Sequence, residues 1–400
     1  MKILIVHRNS FDVIGGVEST LYYMAETLRK MGHTPVIVAQ QGKESNDQNA
    51  ICKVVRYSPS RLYKKYFCLF LPFIACRNAK KKLKNILEQE KPDYIIVRDN
   101  ILSYVLSQIF DRSKIVYIPL GVIRYYSTGL RKFSSVKSFI IECIRFVQMK
   151  QESRYQIKAF KNLTKIVVFS ENMKSQIKDA IGYNHHTHVI YPGVSSKFSP
   201  YTEADDIRRE FHIAKDDKIF LFVGRVVQEK NVRMLIDAYA NSDYKNTVLL
   251  IVGGGDDLSF IQNKVNELGL EHVVLFSGFR RDTEKFYREA AFFILPSYYE
   301  SFGNVILESY ASGTPVIGFK TEKGKTLTAI GELVEEGKSG IICENFSTEA
   351  LTNAINRAVL VANSDTYSNM REYCADLADK KFTWNRFMEQ VIMVLRHGEK

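Results

Sequence analysis

From end to end the chain alternates short, continuous apolar runs with longer segments whose apolar residues recur three and four apart. The runs fall at 3–6, 36–39, 94–97, 115–118 and 166–169. After an interval rich in turn residues they resume at 219–223, 248–252, 273–276, 293–295 and 316–318. Between them, sets such as Leu21, Met24, Ala25 and Leu28 predict amphipathic helices. A strand without polar alternation must be covered on both faces, and helices between successive strands supply both covers. The pattern therefore predicts α/β architecture with parallel sheets.

With 400 residues the chain is too long for one core and suits two. The break is expected at Tyr191-Pro192-Gly193, ahead of the polar stretch Ser195-Ser196-Lys197-Phe198-Ser199-Pro200. This gives two doubly wound, Rossmann-like domains facing a central cleft. An amino-terminal domain covers 1–192 and a second domain covers 193–380. A C-terminal helix in 381–400 packs back on the amino-terminal domain. In such sheets ligands sit at the carboxyl ends of the strands, so the loops after strands are where chemistry is sought.

Charge divides at the same place. Residues 1–195 carry 31 Lys+Arg against 14 Asp+Glu, a balance of +17, and residues 196–400 carry 25 against 30, a balance of −5. One half thus expects an anionic partner. The opening Met1-Lys2-Ile3-Leu4-Ile5-Val6-His7-Arg8 falls short of the ~7–15 apolar residues of a secretory signal. The stretch 66–76 contains Pro72 and falls short of the ~20 residues of a spanning helix. A cytoplasmic protein, associated with the inner face of the membrane, is expected. Cys52, Cys68, Cys76, Cys143, Cys343 and Cys374 show no metal spacing and read as free, mostly buried thiols. His185, His186 and His188 read as a loop cluster, so neither a metal nor a cofactor is expected.

Three glycine loops follow predicted strands. Gly15-Gly16-Val17-Glu18 opens the first helix and lacks the dinucleotide fingerprint; it is either an anion-binding helix start or a tight turn. Gly224-Arg225 is followed by Lys230, a pair of cations that suits a diphosphate, or else an ordinary solvated loop. Gly253-Gly254-Gly255 reads as a flexible strand-to-helix turn.

Glu300 and Glu308 lie eight residues apart, a spacing also found in Glu18/Glu26 and Glu336/Glu344 and uninformative by itself. Their setting is what distinguishes them. Glu300 follows a strand end at Pro296-Ser297-Tyr298-Tyr299, and Gly303 starts a helix whose first N–H groups can hold a phosphate or sugar oxygen. Glu308, inside that helix, can accept both hydrogen bonds of a ribose diol.

The ordered series Gly224-Arg225, Glu229-Lys230-Asn231, Gly253-Gly254-Gly255, Phe276-Ser277-Gly278-Phe279, Leu295 to Gly303, Glu308 and Gly313-Thr314-Pro315-Val316-Ile317 resembles the retaining, GT-B-fold glycosyltransferases of family 4 (glycosyl transferases group 1). The resemblance covers essentially the whole chain and implies that 1–192 is the acceptor-side domain and 193–380 the nucleotide-sugar donor domain. It implies that Arg225 and Lys230 bind the donor diphosphate and that Glu300 lies by the donor sugar as nucleophile, electrostatic stabiliser or anchor. It assigns the ribose to Glu308 and the sugar hydroxyls to the backbone of Phe302, Gly303, Asn304 and Val305. Phe279 and Arg280 would flank the base, and Gly16 would approach the diphosphate. The catalytic set is thus Glu300, Arg225 and Lys230. Many relatives have a histidine before a glycine after an amino-domain strand; here Ile118-Pro119-Leu120-Gly121 puts Leu120 in its place.

The implied reaction moves a hexose-type sugar, with retention and without a metal, from a nucleotide-diphosphate sugar to a lipid-linked or cell-surface glycan acceptor. A nucleotide-sugar epimerase of the same fold, or a donor-binding subunit without activity, are the alternatives. The segments 61–84 and 131–165 mix Lys and Arg with aromatics and suit an anionic membrane surface, or else are ordinary helices with solvated lysines. No nucleic-acid recognition module is visible.

Overall fold

The computed structural model describes residues 1–10, 16–41, 51–58, 71–125, 136–183, 186–201 and 207–396. The segment 61–70 with Cys68, and residues Gly15, 131–135 and His185, all singled out in the sequence, lie outside these. The chain divides into one unit of Met1–Tyr191 with Trp384–Lys400 and a second of Pro192–Thr383.

The first unit is built on β1 (Lys2–Ser10), β2 (Thr34–Gln40), β3 (Lys53–Tyr57), β4 (Tyr94–Val97), β5 (Ile115–Tyr117), β6 (Ile166–Val168) and β7 (Thr187–Val189). They form one sheet in the order β3-β2-β1-β4-β5-β6-β7, and its pairs are parallel. The second unit has β8 (Lys218–Val223), β9 (Thr247–Val252), β10 (Val274–Gly278), β11 (Phe292–Leu295), β12 (Val316–Phe319) and β13 (Gly340–Cys343). Their order is β10-β9-β8-β11-β12-β13, again parallel throughout.

In their own numbering the second sheet runs 3-2-1-4-5-6, the doubly wound order, and the first runs the same with a seventh strand added at its end. Each therefore has a point where the chain, having wound to one side, returns to wind to the other: between β1 and β4, and between β8 and β11. The runs read from sequence are the inner strands and the edge strand β10, and β4, β9 and β11 are buried at every residue. The reading missed β3, β7 and β13, three of the four sheet edges. Edge strands are covered less and carry a weaker apolar signal: β3 is largely half-exposed and β7 is three residues long.

The helix Trp384–Arg396 packs within the first unit. Trp384 stacks on Tyr23 with ring centroids 5.5 Å apart, Phe387 meets Phe169 edge-on at 5.8 Å, and the Lys165 ammonium donates to the Leu395 carbonyl at 2.5 Å. Lysine amines at a helix C-terminus satisfy carbonyls that have no intrahelical donor. Among the described cysteines, all free, Cys343 and Cys374 are buried and Cys52, Cys76 and Cys143 are partly exposed.

Candidate active site

In the second unit the loops after β8 and β11 meet at the switch point. After β8 the chain passes through Gly224 and Arg225 into a short 3₁₀ turn, Gln228–Lys230, which Asn231 ends in a left-handed conformation (φ 53°). Two hydrogen bonds tie this turn to the end of β11. The Asn231 side-chain amide donates to the Pro296 carbonyl at 3.3 Å, and the Tyr298 N–H donates to the Glu229 carbonyl at 3.2 Å. The Glu300 N–H in turn donates to Leu327 O (2.8 Å), while the Leu327 N–H donates to Tyr298 O (2.8 Å). Between these anchors the Lys230 ammonium forms an ion pair with the Glu300 carboxylate, with side chains only 17% and 15% exposed. Arg225, by contrast, is 71% exposed and pairs with Glu229 at 3.2 Å.

The glycines after β9 have a specific task. Gly253 has φ +137°, and a Cβ there would lie 1.9 Å from the Gly224 carbonyl oxygen; at Gly255 (φ +159°) it would lie 2.4 Å from the Val226 oxygen. Val226 N–H donates to Gly254 O at 2.9 Å, and Gly224 N–H to Val252 O at 3.0 Å. The triple glycine is thus no flexible turn. Gly253 and Gly255 let one strand-end loop press backbone to backbone against the loop that carries Arg225, where at those two positions no side chain fits. Gly303, left-handed at φ +89°, caps the helix Asn304–Ala311, and a Cβ there would meet the Glu300 Cγ at 3.1 Å.

Phe302 is buried, while Asn304 and Val305 are half-buried in the first turn, whose N–H groups lack intrahelical acceptors. Glu308 is the fifth residue of that helix, and burial pushes its carboxyl up to about 7, opposed by the Lys197 ammonium and the Tyr287 hydroxyl. Lys197 itself donates to Glu284 at 2.9 Å and lies over the Phe198 ring at 4.8 Å. Sequence reasoning took Lys197 and Phe198 for a linker and overlooked Tyr287. No local signal connects them to a glutamate over a hundred residues away or across two elements.

Phe279, the first residue past β10, is 75% exposed. Arg280 is engaged elsewhere: its guanidinium clasps Asp282 with two bonds of 2.9 Å, pairs with Glu210, and lies over Phe286 at 5.0 Å. The Arg280 guanidinium in turn holds the Asp282 carboxyl down at about 2. Gly16 belongs to the other unit, where it is the first residue of the helix Gly16–Lys30. Leu120 and Gly121 follow β5 there, and Gly121 O accepts from the Gln156 amide at 2.8 Å. That amide also reaches Asn100, which Tyr117 contacts at 2.6 Å. Among the described residues no three His, Cys, Asp or Glu side chains gather as metal ligands, and no helix is long and apolar enough to cross a membrane.

Two family models match the chain: Glycosyltransferase Family 4 over residues 14–198 and Glycosyl transferases group 1 over residues 203–376. The chain belongs to the family-4 glycosyltransferases. An uncharacterised glycosyltransferase of Methanocaldococcus jannaschii is 26% identical over 396 residues, covering 96% of this chain and 95% of that one. A lipopolysaccharide core biosynthesis glycosyltransferase of Rhizobium meliloti is 26% identical over 201 residues, about half of either chain at 50% and 55%. Among solved structures, a sucrose-phosphate synthase from Thermosynechococcus elongatus superposes with a TM-score of 0.77 at 21% identity, covering 99% of this chain and 98% of the other. At that identity the likeness concerns the fold, which is GT-B. The family's two models thus fall on the two parallel-sheet units, and the protein is a glycosyltransferase enzyme.

Proposed function

We propose that the enzyme transfers a hexose-type sugar from a nucleotide-diphosphate sugar to an acceptor hydroxyl with retention, and without a divalent ion. The observation that carries this reading is the Lys230–Glu300 pair at the switch point of the second sheet. A lysine ammonium has three donors, so it can keep one on Glu300 and present the others to phosphate oxygens. It then bridges the group that leaves and the carboxylate beside the sugar. Arg225, exposed on the same loop, adds a forked donor for the diphosphate. As the bond from the anomeric carbon to the diphosphate breaks, negative charge grows on the phosphate oxygen facing these cations, which is where preorganised charge accelerates a reaction. Glu308, with Lys197 and Tyr287 about it, suits the ribose diol, and the backbone from Phe302 to Val305 suits the sugar hydroxyls.

For the acceptor we favour a lipid-linked or cell-surface glycan met at an anionic membrane. The helix Val136–Asn162 exposes Val136, Phe139, Ile140, Ile141, Phe146 and Val147, with Arg145 and Lys150 exposed among them. Apolar side chains flanked by cations are what a helix lying on anionic headgroups presents. The lipopolysaccharide relative fits the same acceptor class. A nucleotide-sugar binding screen, followed by mass spectrometry of products on lipid-linked acceptors, tests the reading. Conversion of the nucleotide sugar with no acceptor present would establish an epimerase instead.

A further inference from the structure

The amino-terminal sheet has its own switch point, between β1 and β4. Val6 pairs with Val97 there, the Arg98 N–H donates to Val6 O at 2.9 Å, and His7 Nδ1 donates to the Arg98 carbonyl at 2.9 Å. Both side chains are almost wholly buried, His7 at 2% and Arg98 at 3% exposure. Burying a guanidinium is costly in desolvation unless an anion compensates it. Among the described residues Arg98 has no such anion. Asp99 is taken by Arg8 (3.1 Å) and by the N–H groups of Ile101 and Leu102, which it caps. The Glu18 charge is felt at Arg98 but forms no ion pair with it. Arg98 Nε and Nη1 donate to nothing, and the guanidinium lies over the Phe169 ring, past β6, at 5.2 Å. Burial pulls its pKa down to about 10, so it stays charged at neutral pH.

His7 Nε2 is buried and also lacks a partner. A carbonyl oxygen only accepts, so the proton sits on Nδ1, and Nε2 of the neutral ring is an acceptor. Burial lowers the His7 pKa and keeps the ring neutral. The pair thus offers N–H donors for a negative oxygen and one acceptor for a hydroxyl.

We propose that His7 and Arg98 form an anion pocket for the acceptor, taking a group that bears a hydroxyl beside its negative oxygen: a protonated phosphate or an α-hydroxy carboxylate. The assignment to the acceptor rests on the proposed transferase reading, in which the amino-terminal unit receives the acceptor. Sulfate and acetate offer Arg98 a negative oxygen but carry no O–H for His7 at neutral pH, so the pocket discriminates between anions of like shape.

Calorimetric titration of the full chain with inorganic phosphate, sulfate, glycolate and acetate tests the pocket. Either phosphate binds ~tenfold or more tightly than sulfate, assigning a phosphate, or glycolate does so over acetate, assigning a hydroxy acid. Arg98→Met weakens that binding at least ~tenfold and Arg98→Lys less so, while His7→Phe erases the preference for the hydroxyl-bearing anion. Failure of the wild type to bind any of the four, equal affinity within both pairs, or binding unchanged in Arg98→Met overturns the proposal. The selectivity of the wild type needs no variant and stands even if Arg98→Met does not fold. Nucleoside diphosphate binding, measured on the same samples, is expected to be unchanged by Arg98→Met; an equal loss would overturn the assignment to the acceptor. A chain that binds nucleoside diphosphate but no small anion sinks this pocket and leaves the donor site standing.

Discussion

The Lys230 ammonium and the Glu300 carboxylate, seventy residues apart in sequence, are paired where the loops after β8 and β11 meet. If Lys230 bridges the departing diphosphate and this carboxylate, Lys230→Ala removes a cation aimed at developing charge. Turnover should fall ~100-fold or more, the scale of losing one such group, with a smaller change in donor affinity. Steady-state transfer kinetics on the purified variant check this, and near-normal turnover would remove Lys230 from the catalytic set.

Glu308 makes donor binding depend on pH. A carboxylate accepts both hydrogen bonds of a diol, a protonated carboxyl does so poorly, and burial sets the change at about 7. Nucleotide affinity should therefore rise as pH increases through 7, and Glu308→Gln should flatten the profile. Stability runs the opposite way. The folded carboxyl holds its proton more tightly than the unfolded one, near ~4.3. The favourable contribution is full below ~4.3 and is lost as pH rises through about 7. Calorimetry and chemical denaturation across this range measure the two effects separately.

Gly253→Ala places a Cβ 1.9 Å from the Gly224 carbonyl oxygen, at a backbone angle L residues avoid. A loss of about 3 kcal/mol or more is expected, combining overpacking with backbone strain. Gly254, with open space about its Cβ position, is the control: Gly254→Ala should be near neutral. Equal melting temperatures for the two variants would contradict the backbone-to-backbone packing of these loops.

The exposed apolar face of Val136–Asn162 gives a membrane test. Sedimentation with vesicles containing anionic lipid at low salt should recover the wild type. A Phe139→Ser, Phe146→Ser double variant should bind at least ~fivefold more weakly, because buried apolar area and charge attraction act together. Loss of vesicle binding without loss of helical circular dichroism separates the surface effect from unfolding.

Strand identity is local. A continuous β-branched run between helical segments is legible wherever it occurs, so the inner strands, the parallel α/β class and the glutamate–glycine–helix unit from Glu300 to Glu308 all follow from the order of residues. The edge strands β3 and β7 escape the same reading because half-covered strands need fewer apolar residues. Pairing of side chains is not local. The residues in order make Arg225, Lys230 and Arg280 equivalent cations; the fold leaves Arg225 in solvent, sets Lys230 on Glu300, and commits Arg280 to Asp282 and Glu210. His7 and Arg98 are 91 residues apart and neither belongs to a motif. They become neighbours because β4 pairs with β1 at the point where the winding reverses, and that pairing leaves a buried charge without a counterion among the described residues. The periodicity of the chain determines which segments become strands, while desolvation at a switch point depends on which strand ends the crossovers bring together.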